Sequence, residues 1–310
     1  MNLHEAFVKF DNTIKLSESH KKRILTSRNA VRNKIRNYFT DELNIASPKF
    51  KWQGSFTINT ALEPIEGKEV DIDDGLYLTH INQDYPTTWP KPRDVHKLVI
   101  DALEGHTQDG CEDKTSCVRV IYKNNYHIDI PIYIMENNHA KLANKETNEW
   151  QTSDSKDFSD WYYKTRTNDQ TSRLIRYLKA WRDFNDFDFS SIELTILVTN
   201  CHVQNNDDSL ALKLTVEQIY MQINNSKAIL KPVVPYENLW GKKTDAEKNC
   251  LIKEIEQLKN DLNSVIENKS KHRSSLILRE VFGTRFPVLE DDNETPIHEY
   301  FTGPKPWRKL

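Results

Sequence analysis

The chain has 310 residues, of which 37% are hydrophobic and 29% charged, as in a soluble globular protein of about two domains. Its 43 Lys and Arg against 46 Asp and Glu give a net charge of −3, so no overall positive charge favours nucleic-acid binding. No apolar run is long enough to span a bilayer, and residues 1–15 lack the pattern of a signal peptide. A cytoplasmic location is therefore expected.

The first 45 residues are predicted to be helical. Within them, residues 21–36 hold seven Lys or Arg and no acid, and Ile24, Val31 and Ile35 give the stretch an apolar stripe at helical spacing. Such a stretch is either a solvated basic face of a helix or a surface that contacts phosphates of a nucleotide or nucleic acid. The first interpretation is favoured.

The rest of the first half mixes strand and helix patterns. The polar stretch after Ser55 predicts a short helix that Pro64 ends. Asn124 and Asn125 tolerate the positive φ of a hairpin turn between two strands. The other predicted elements are a strand over 49–56 that ends in a Gly-Ser turn, a strand over 70–78, a helix over 94–104, and strands over 117–122 and 126–135.

The second half is predicted to be mainly helical. Residues 139–160 are polar and are expected to form a loop. Helices are expected within 161–184, over 191–203 and over 244–269, the last with a capping-box pattern. We therefore expect an α+β fold with a mixed α/β half over 1–155 and a helical C-terminal half over 156–310.

Three carboxylates in two predicted strands form the strongest chemical pattern. Asp71 and Asp73 share one face of the first strand, where a like-charged pair about 5 Å apart costs about 3 kcal/mol at an effective dielectric constant of about 20. Asp129 lies on the face opposite Ile128 and Ile130 in the second strand. If the strands are neighbours, the three carboxylates converge. Two Mg²⁺ ions, which Mn²⁺ can replace, would offset their repulsion.

Two further features accompany the carboxylates. Gly54 and Ser55 follow a strand, where exposed backbone N–H groups and a hydroxyl suit phosphate oxygens. Asp74 points away from Asp71 and Asp73, and it is interpreted as a residue that ends its strand together with Gly75.

The order of these motifs resembles that of the DNA polymerase β-like nucleotidyltransferase superfamily, in which Gly-Ser precedes Asp-x-Asp and a third Asp on a separate strand. WQGSFTINT, VDIDDGLYL, YHIDIPIYI, RLIRYLKAW and VFGTRFP look more narrowly like the bacterial CD-NTases, a cGAS/DncV-like family. The resemblance runs from Trp52 to Pro287. It implies a polymerase-β-like nucleotidyltransferase core, with a mixed sheet and helices, joined to a C-terminal helical domain. The active site would lie in the cleft between them, and an N-terminal helix within residues 5–40 would brace both lobes.

The resemblance also implies a role for each matching residue. Asp71, Asp73 and Asp129 would bind the two metal ions, and Asp129 would help to activate the attacking 3′-hydroxyl. Residues 231–240 fall where such enzymes line the cleft. The implied contacts to the donor triphosphate are Gln53, Gly54, Ser55, Lys179 and Ser190, with Ser191 as the alternative to Ser190 and with Arg173 and Arg176 as further candidates.

The implied activity is Mg²⁺-dependent synthesis of a cyclic di- or trinucleotide from ATP or other nucleoside triphosphates, with release of pyrophosphate. The implied setting is CBASS, an anti-phage signalling system in which a separate effector protein binds the product and a regulatory partner can act on the enzyme. An alternative is transfer of one nucleotide to an RNA, a protein or a small molecule. A third hypothesis, a nucleic-acid-binding module built on residues 21–36, is disfavoured by the three carboxylates.

Two departures from the animal branch bear on partners. The animal enzyme needs a His and closely spaced cysteines for its zinc-bearing insertion, and this sequence has no such cluster, so sensing of double-stranded DNA is not expected. A zinc site drawn from His106, Cys111, Cys117 and His127 fits no common ligand spacing. The C-terminal GPKPWRKL is a candidate tail for a partner to handle.

Overall fold

The computed structural model of the chain describes residues 3–65, 69–81, 85–123, 126–137, 139–153 and 155–290. The predicted α+β fold is confirmed. The helices are α1 His4–Ile14, α2 Glu18–Asn37, α3 Gly54–Thr57, α4 Pro92–Ala102, α5 Ser155–Thr165, α6 Asp169–Asn185, α7 Ser191–Cys201, α8 Asp208–Ser226, α9 Asp245–Glu267 and α10 Lys271–Phe282. The strands are β1 Lys49–Trp52, β2 Val70–Tyr77, β3 Cys111–Asp113, β4 Val118–Tyr122, β5 Tyr126–Ile130, β6 Ile132–Glu136, β7 His139–Asn144 and β8 Glu149–Thr152.

One mixed sheet is built around β2. Both β5 and β6 run parallel to β2 in a single register, with Val70 opposite Tyr126 and Leu76 opposite Ile132. The strand predicted over 126–135 is therefore interrupted only at Pro131, which has no backbone N–H to donate. β4 pairs antiparallel with β5 as the hairpin prediction requires, although residues 124–125 of the turn lie outside the described residues.

Several local predictions are wrong. A loop was expected over 139–160, but residues 139–152 form the β7–β8 hairpin and residues 155–160 form the first half of α5. The alternation is hidden because the side chains of these two strands are mostly half-buried or exposed on both faces. The short helix lies on Gly54–Thr57 and not after it. In contrast, the helix expected within 161–184 is confirmed as α6, which begins where the Asn168 side chain accepts from Gln170 N.

Two hydrophobic cores underlie the two lobes. The sheet core contains α2, α4 and the buried faces of β2, β4, β5 and β6, whereas the helical core contains α5 to α10. Helix α1 belongs to the helical core, since Phe7 and Phe10 pack against Phe282 and Phe286. The predicted α9 is confirmed, with Thr244 in a reciprocal capping box.

Three arginines of the basic stretch in α2, here called the basic stripe (Arg28, Arg32 and Arg36), face the sheet, whereas Lys22 and Arg23 are exposed. The Arg28 guanidinium lies 4.1 Å from the centre of the Trp52 ring, and those of Arg32 and Arg36 lie 5.2 Å from the Phe50 ring. These cation–π contacts and the charge pairs beside them give the stripe a structural role.

Asp74 is the acidic partner of this stripe, which corrects its assignment as a strand terminator. β2 continues to Tyr77, and the Asp74 side chain is 1% exposed. Arg32 donates to both of its carboxylate oxygens, with Nε–Oδ2 at 2.6 Å.

In the described part of the chain, no helix is both long and apolar enough to cross a membrane.

Candidate active site

A cleft of about 430 Å³ separates the two lobes, and both contribute to its wall. The sheet lobe supplies the Gly54–Ser55 turn and the three carboxylates, and the helical lobe supplies α5, α6, α7 and the segment after α8. The lining residues from the sheet lobe include Gln53, Gly54, Ser55, Asp71, Asp73, Cys117, Asp129 and Tyr133. Those from the helical lobe include Phe158, Lys179, Ser191, Ile192, Thr195 and Lys231.

The register of β2 and β5 brings the predicted carboxylates together. Asp73 lies opposite Asp129, and Asp71 lies opposite His127 on the adjacent strand. Because alternate residues share a face, all four side chains lie on the cleft face of the sheet. The convergence expected from two separate sequence motifs is thus a consequence of parallel strand pairing.

The charges of the three carboxylates are compensated unequally. Asp129 accepts two hydrogen bonds from Arg119, each 2.8 Å long, and Asp71 contacts the His127 ring. Asp73 forms no hydrogen bond or ion pair with another described side chain. Burial, and then the Asp129 and Asp71 charges, raise the pKa of Asp73 to about 6.

His127 connects Asp71 to a second carboxylate. Its Nδ1 lies 2.9 Å from Glu69 Oε2, and its Nε2 contacts Asp71 Oδ1, while its side chain is only 5% exposed. The His127 ring holds the pKa of Asp71 below its ordinary value. Burial opposes the charged form of His127, but Asp71 and Glu69 raise its pKa overall. The ring therefore fixes the orientation of Asp71 against a buried support.

The chemistry of this donor set fits divalent magnesium. Asp71, Asp73 and Asp129 offer hard oxygen donors, and the unpaired charge of Asp73 is the expected signature of a carboxylate that a cation neutralises. In the described part of the chain, no three His, Cys, Asp or Glu side chains already surround a single point suited to a metal ion. To hold a metal ion, Asp129 would have to release the hydrogen bonds it accepts from Arg119.

The Gly54–Ser55 turn approaches the carboxylates as closely as the backbone allows. Gly54 has a φ of 64°, and a Cβ atom there would lie 2.0 Å from Asp73 Oδ2. Only glycine meets both conditions. The backbone of the turn and the Ser55 side chain therefore lie beside the three carboxylates of the cleft.

Gln53, which was expected to contact the triphosphate, lines the cleft, but the polar atoms of its side chain are engaged by two tyrosines of the sheet lobe. Its side chain is buried, with Nε2 donating to the Tyr77 hydroxyl at 3.2 Å and Oε1 accepting from the Tyr133 hydroxyl at 3.1 Å. Gly75 leaves room for it, since a Cβ there would lie 2.3 Å from Nε2. Gln53 thus anchors the start of the Gly54–Ser55 turn to Tyr77 and Tyr133 of the sheet.

Lys179 faces the cleft from α6. Its side chain is buried, and Nζ donates to the Thr60 carbonyl at 3.1 Å. Burial, and then the neighbouring Arg182, lower its pKa to about 7. A phosphate group in the cleft would give the Lys179 ammonium an anionic partner and would favour its charged form.

The serine and arginine candidates are resolved by their contacts. Ser190 caps α7, where its hydroxyl accepts from Glu193 N, and Ser191 is the serine that lines the cleft. Arg173 is engaged by Asp208. Arg176 is engaged by Asp11 and the Asn59 carbonyl, so both arginines hold the fold together.

Sequence reasoning missed Arg119, His127 and Thr195 as residues of the site. The signal for His127 was its position two residues before Asp129, which repeats the spacing of Asp71 and Asp73. Arg119 has no signal in its own strand, since only the pairing of β4 with β5 places it opposite Asp129.

Comparisons with known proteins agree with this geometry. Residues 48–133 match the family model described as cyclic GMP-AMP synthase DncV-like, nucleotidyltransferase domain. A c-di-GMP synthase of Roseivirga ehrenbergii is 21% identical, with 74% of this chain and 71% of that protein covered.

Solved structures extend the likeness to both lobes. Vibrio cholerae DncV in its apo form superposes with a TM-score of 0.78 and 20% identity over 92% of this chain and 96% of that chain. The complex of DncV with the linear intermediate 5′ pppA(3′,5′)pG gives a TM-score of 0.76 and 21% identity, covering 92% and 97% of the two chains. These structures share the fold, a nucleotidyltransferase lobe joined to a helical lobe.

Proposed function

We propose that the chain is a CD-NTase, a cGAS/DncV-like nucleotidyltransferase, that joins nucleoside triphosphates into a cyclic oligonucleotide and releases pyrophosphate. The match of residues 48–133 to the DncV-like nucleotidyltransferase family model and the fold shared with DncV support this proposal. A cyclic dinucleotide is the favoured product, since the similar proteins are named for c-di-GMP and cyclic AMP-GMP synthesis. ATP is proposed as one substrate. DncV structures hold GTP or the linear intermediate pppA(3′,5′)pG, which supports a purine triphosphate as the second substrate.

One observation carries the proposal. Three carboxylates converge beside a backbone turn that only glycine can form, in a cleft with a buried lysine on the opposite wall. This arrangement offers negative charge where metal ions would bind and positive charge where the phosphates would lie. A nucleic-acid-binding surface would need positive charge where the three carboxylates place negative charge.

The proposed roles follow from position. The Gly54–Ser55 turn and Ser191 bind and orient the donor triphosphate from opposite walls of the cleft. Lys179 leaves the Thr60 carbonyl to neutralise phosphate charge. Asp129, freed from Arg119, accepts the proton of the attacking hydroxyl. His127 keeps Asp71 oriented.

Asp71, Asp73 and Asp129 are proposed to hold two Mg²⁺ ions, which, when bound, supply electrostatic stabilisation of the attacking and leaving oxygens. The resemblance to CD-NTases supports a place in CBASS, where a separate effector protein would read the product.

The proposal is tested with radiolabelled ATP, GTP, CTP and UTP, Mg²⁺ and a phosphatase. We expect labelled product that survives phosphatase treatment, because a cyclic product has no terminal phosphate to remove. The Asp71→Asn/Asp73→Asn variant should give none. If it forms as much product as the wild type with every triphosphate, the proposal fails. Label found on an added RNA or protein instead would support single-nucleotide transfer.

A further inference from the structure

The segment that follows the Gly54–Ser55 turn, residues 59–63, is here called the connector. Thr60 N donates to the Ser55 carbonyl at 2.9 Å, and Asn59, with a φ of 56°, donates through its N–H to Phe56 O at 3.3 Å. These bonds close the turn around Ser55. A displacement of the connector therefore displaces the groups that are proposed to bind the triphosphate.

The connector leaves the sheet lobe and enters the helical lobe. Ile58, just before it, is 3% exposed and belongs to the helical core, and Leu62 packs against the same core. Ala61 O accepts from Leu16 N, and Glu63 N donates to Ile14 O at 2.8 Å, so the chain between α1 and α2 runs beside it. The turn on one lobe is thus anchored in the other.

Cationic side chains of the helical lobe bind the carbonyls of the connector. Each contact reaches a backbone oxygen, which a substitution in the connector cannot remove, and Lys179 Nζ also lies 3.4 Å from Thr60 Oγ1. The contacts are Arg176 Nη1 to Asn59 O, Lys179 Nζ to Thr60 O at 3.1 Å, and Arg285 Nη1 to Glu63 O at 2.9 Å.

Arg285 is held in place by the motif VFGTRFP. Phe282 and Phe286, on either side of it, are fully buried in the helical core. Gly283 has a φ of 86°, and a Cβ there would lie 2.5 Å from the Phe184 ring, so the chain can turn here only with glycine. The guanidinium therefore reaches the connector from a rigid support, and Arg285 is not among the described residues that line the cleft.

We propose that Arg285 is a positioning residue for nucleotidyl transfer, which holds the connector so that the Gly54–Ser55 turn keeps the geometry that binds the donor triphosphate. The inference rests on the proposed function in one respect, that the turn binds a triphosphate. Arg176 and Lys179 also hold the connector, but the first pairs with Asp11 and the second lines the cleft. Arg285 is therefore the residue whose removal isolates the effect.

The test compares Arg285→Ala and Arg285→Lys with Arg173→Ala. Arg173 is the matched control, because it lies on α6 and forms an ion pair with Asp208, and no hydrogen bond or ion pair joins it to the described part of the connector. We expect Arg285→Ala to raise the KM for ATP about tenfold with kcat within about threefold of wild type. Arg285→Lys, which keeps one donor, should recover part of the loss. Arg173→Ala should lower Tm and leave KM unchanged.

Hydrogen exchange gives a second readout without substrate. The amides of residues 55–60 should exchange faster in Arg285→Ala than in wild type and Arg173→Ala. Binding of a nonhydrolysable GTP analogue, measured by calorimetry, should weaken in the same variant. If wild type binds the analogue but forms no cyclic product, the proposed function fails while the exchange and affinity comparisons still decide this inference. Wild-type exchange over 55–60 together with wild-type affinity in Arg285→Ala would overturn it, even if Tm falls.

Discussion

Two adjacent carboxylates of β2, Asp73 and Asp74, have different partners although burial raises the pKa of both. Asp74 faces the α2 side, where Arg32 neutralises it, and Asp73 faces the cleft, where its nearest charges are two further carboxylates. Side-chain alternation along a strand separates these roles by one residue. The first carboxylate stabilises the fold, and the second is left for a ligand.

Asparagine substitutions at Asp73 and Asp74 should have opposite effects on the stability of the metal-free protein. Asp73→Asn should abolish product formation and raise the Tm of the metal-free protein, because a buried, repelled charge is removed. Asp74→Asn should lower stability by about 3 kcal/mol, because it leaves Arg32 without its buried partner. Thermal unfolding and the cyclisation assay measure both. A lower Tm for Asp73→Asn would contradict the proposed charge state.

Metal affinity should depend on pH through Asp73. Its pKa is raised to about 6, so its stabilising effect on the metal-free fold is present at low pH and lost as the pH rises through 6. Metal binding requires the ionised form, so affinity for Mn²⁺ should fall below pH 6, by at most about tenfold per pH unit for this group. Electron paramagnetic resonance measures free Mn²⁺ directly. Equal affinities at pH 5 and pH 7 would contradict the raised pKa of Asp73.

At this scale the sequence identified the carboxylates but not their partners. Asp71, Asp73 and Asp129 stand out because Asp is disfavoured in strands. His127 and Arg119 do not, since their significance depends on which residues lie opposite them on neighbouring strands, and a single sequence does not contain the register. Ser190 illustrates the same limit. One position along α7 decides whether a serine caps the helix or faces the cleft.

Among the elements, the Gly54–Ser55 turn is the most constrained. Its backbone needs a positive φ and also needs free space beside Asp73. The two requirements can be separated experimentally, because Gly105 has nearly the same φ, 65°, and no heavy atom within 4 Å of where a Cβ would be.

Alanine at these two glycines should have different effects. Gly105→Ala should cost about 1 kcal/mol of stability from backbone strain alone and leave turnover unchanged. Gly54→Ala should in addition displace Asp73 or the turn and reduce turnover at least about a hundredfold. Urea unfolding and initial rates measure the two quantities. Equal losses of activity in both variants would show that the close approach is unimportant.

Helices and strands whose hydrophobic residues recur at a regular spacing could be predicted from the sequence, and those without such a spacing could not. The heptad-like spacing of Leu251, Ile255, Leu258 and Leu262 predicted α9, and the apolar alternation of 70–78 predicted β2. The hairpin of β7 and β8 lies at the edge of the sheet, where both faces are partly exposed and its pattern resembles a polar loop. Neither its half-buried residues nor its turn gave a signal.

At the scale of the whole molecule, the cleft between the lobes holds buried ionisable groups whose charges are not balanced by the protein alone. Lys179 is buried with a pKa lowered to about 7, so it is mainly neutral at pH 8. A triphosphate beside it would restore its proton. On the other wall of the cleft, the three carboxylates carry more negative charge than the neighbouring cationic side chains neutralise.

Triphosphate binding should therefore take up a proton at pH 8. Calorimetry of a nonhydrolysable GTP analogue in two buffers of different ionisation enthalpy should show an uptake that approaches one proton per site. Lys179→Met should bind more weakly and show no uptake. A binding enthalpy that is independent of the buffer in the wild type would contradict the assignment of Lys179 to the phosphates.

The position of α1 also limits how the chain can be divided. Phe7, Phe10 and Ile14 lie in the helical core although 140 residues separate them from its next helix, α5. A fragment ending at residue 155 would expose this apolar surface to water, and a fragment starting there would lack one wall of its core. Neither half would be a self-sufficient module in a fusion or a domain exchange. The smallest unit that can be transplanted is the pair of lobes with the chain that connects them.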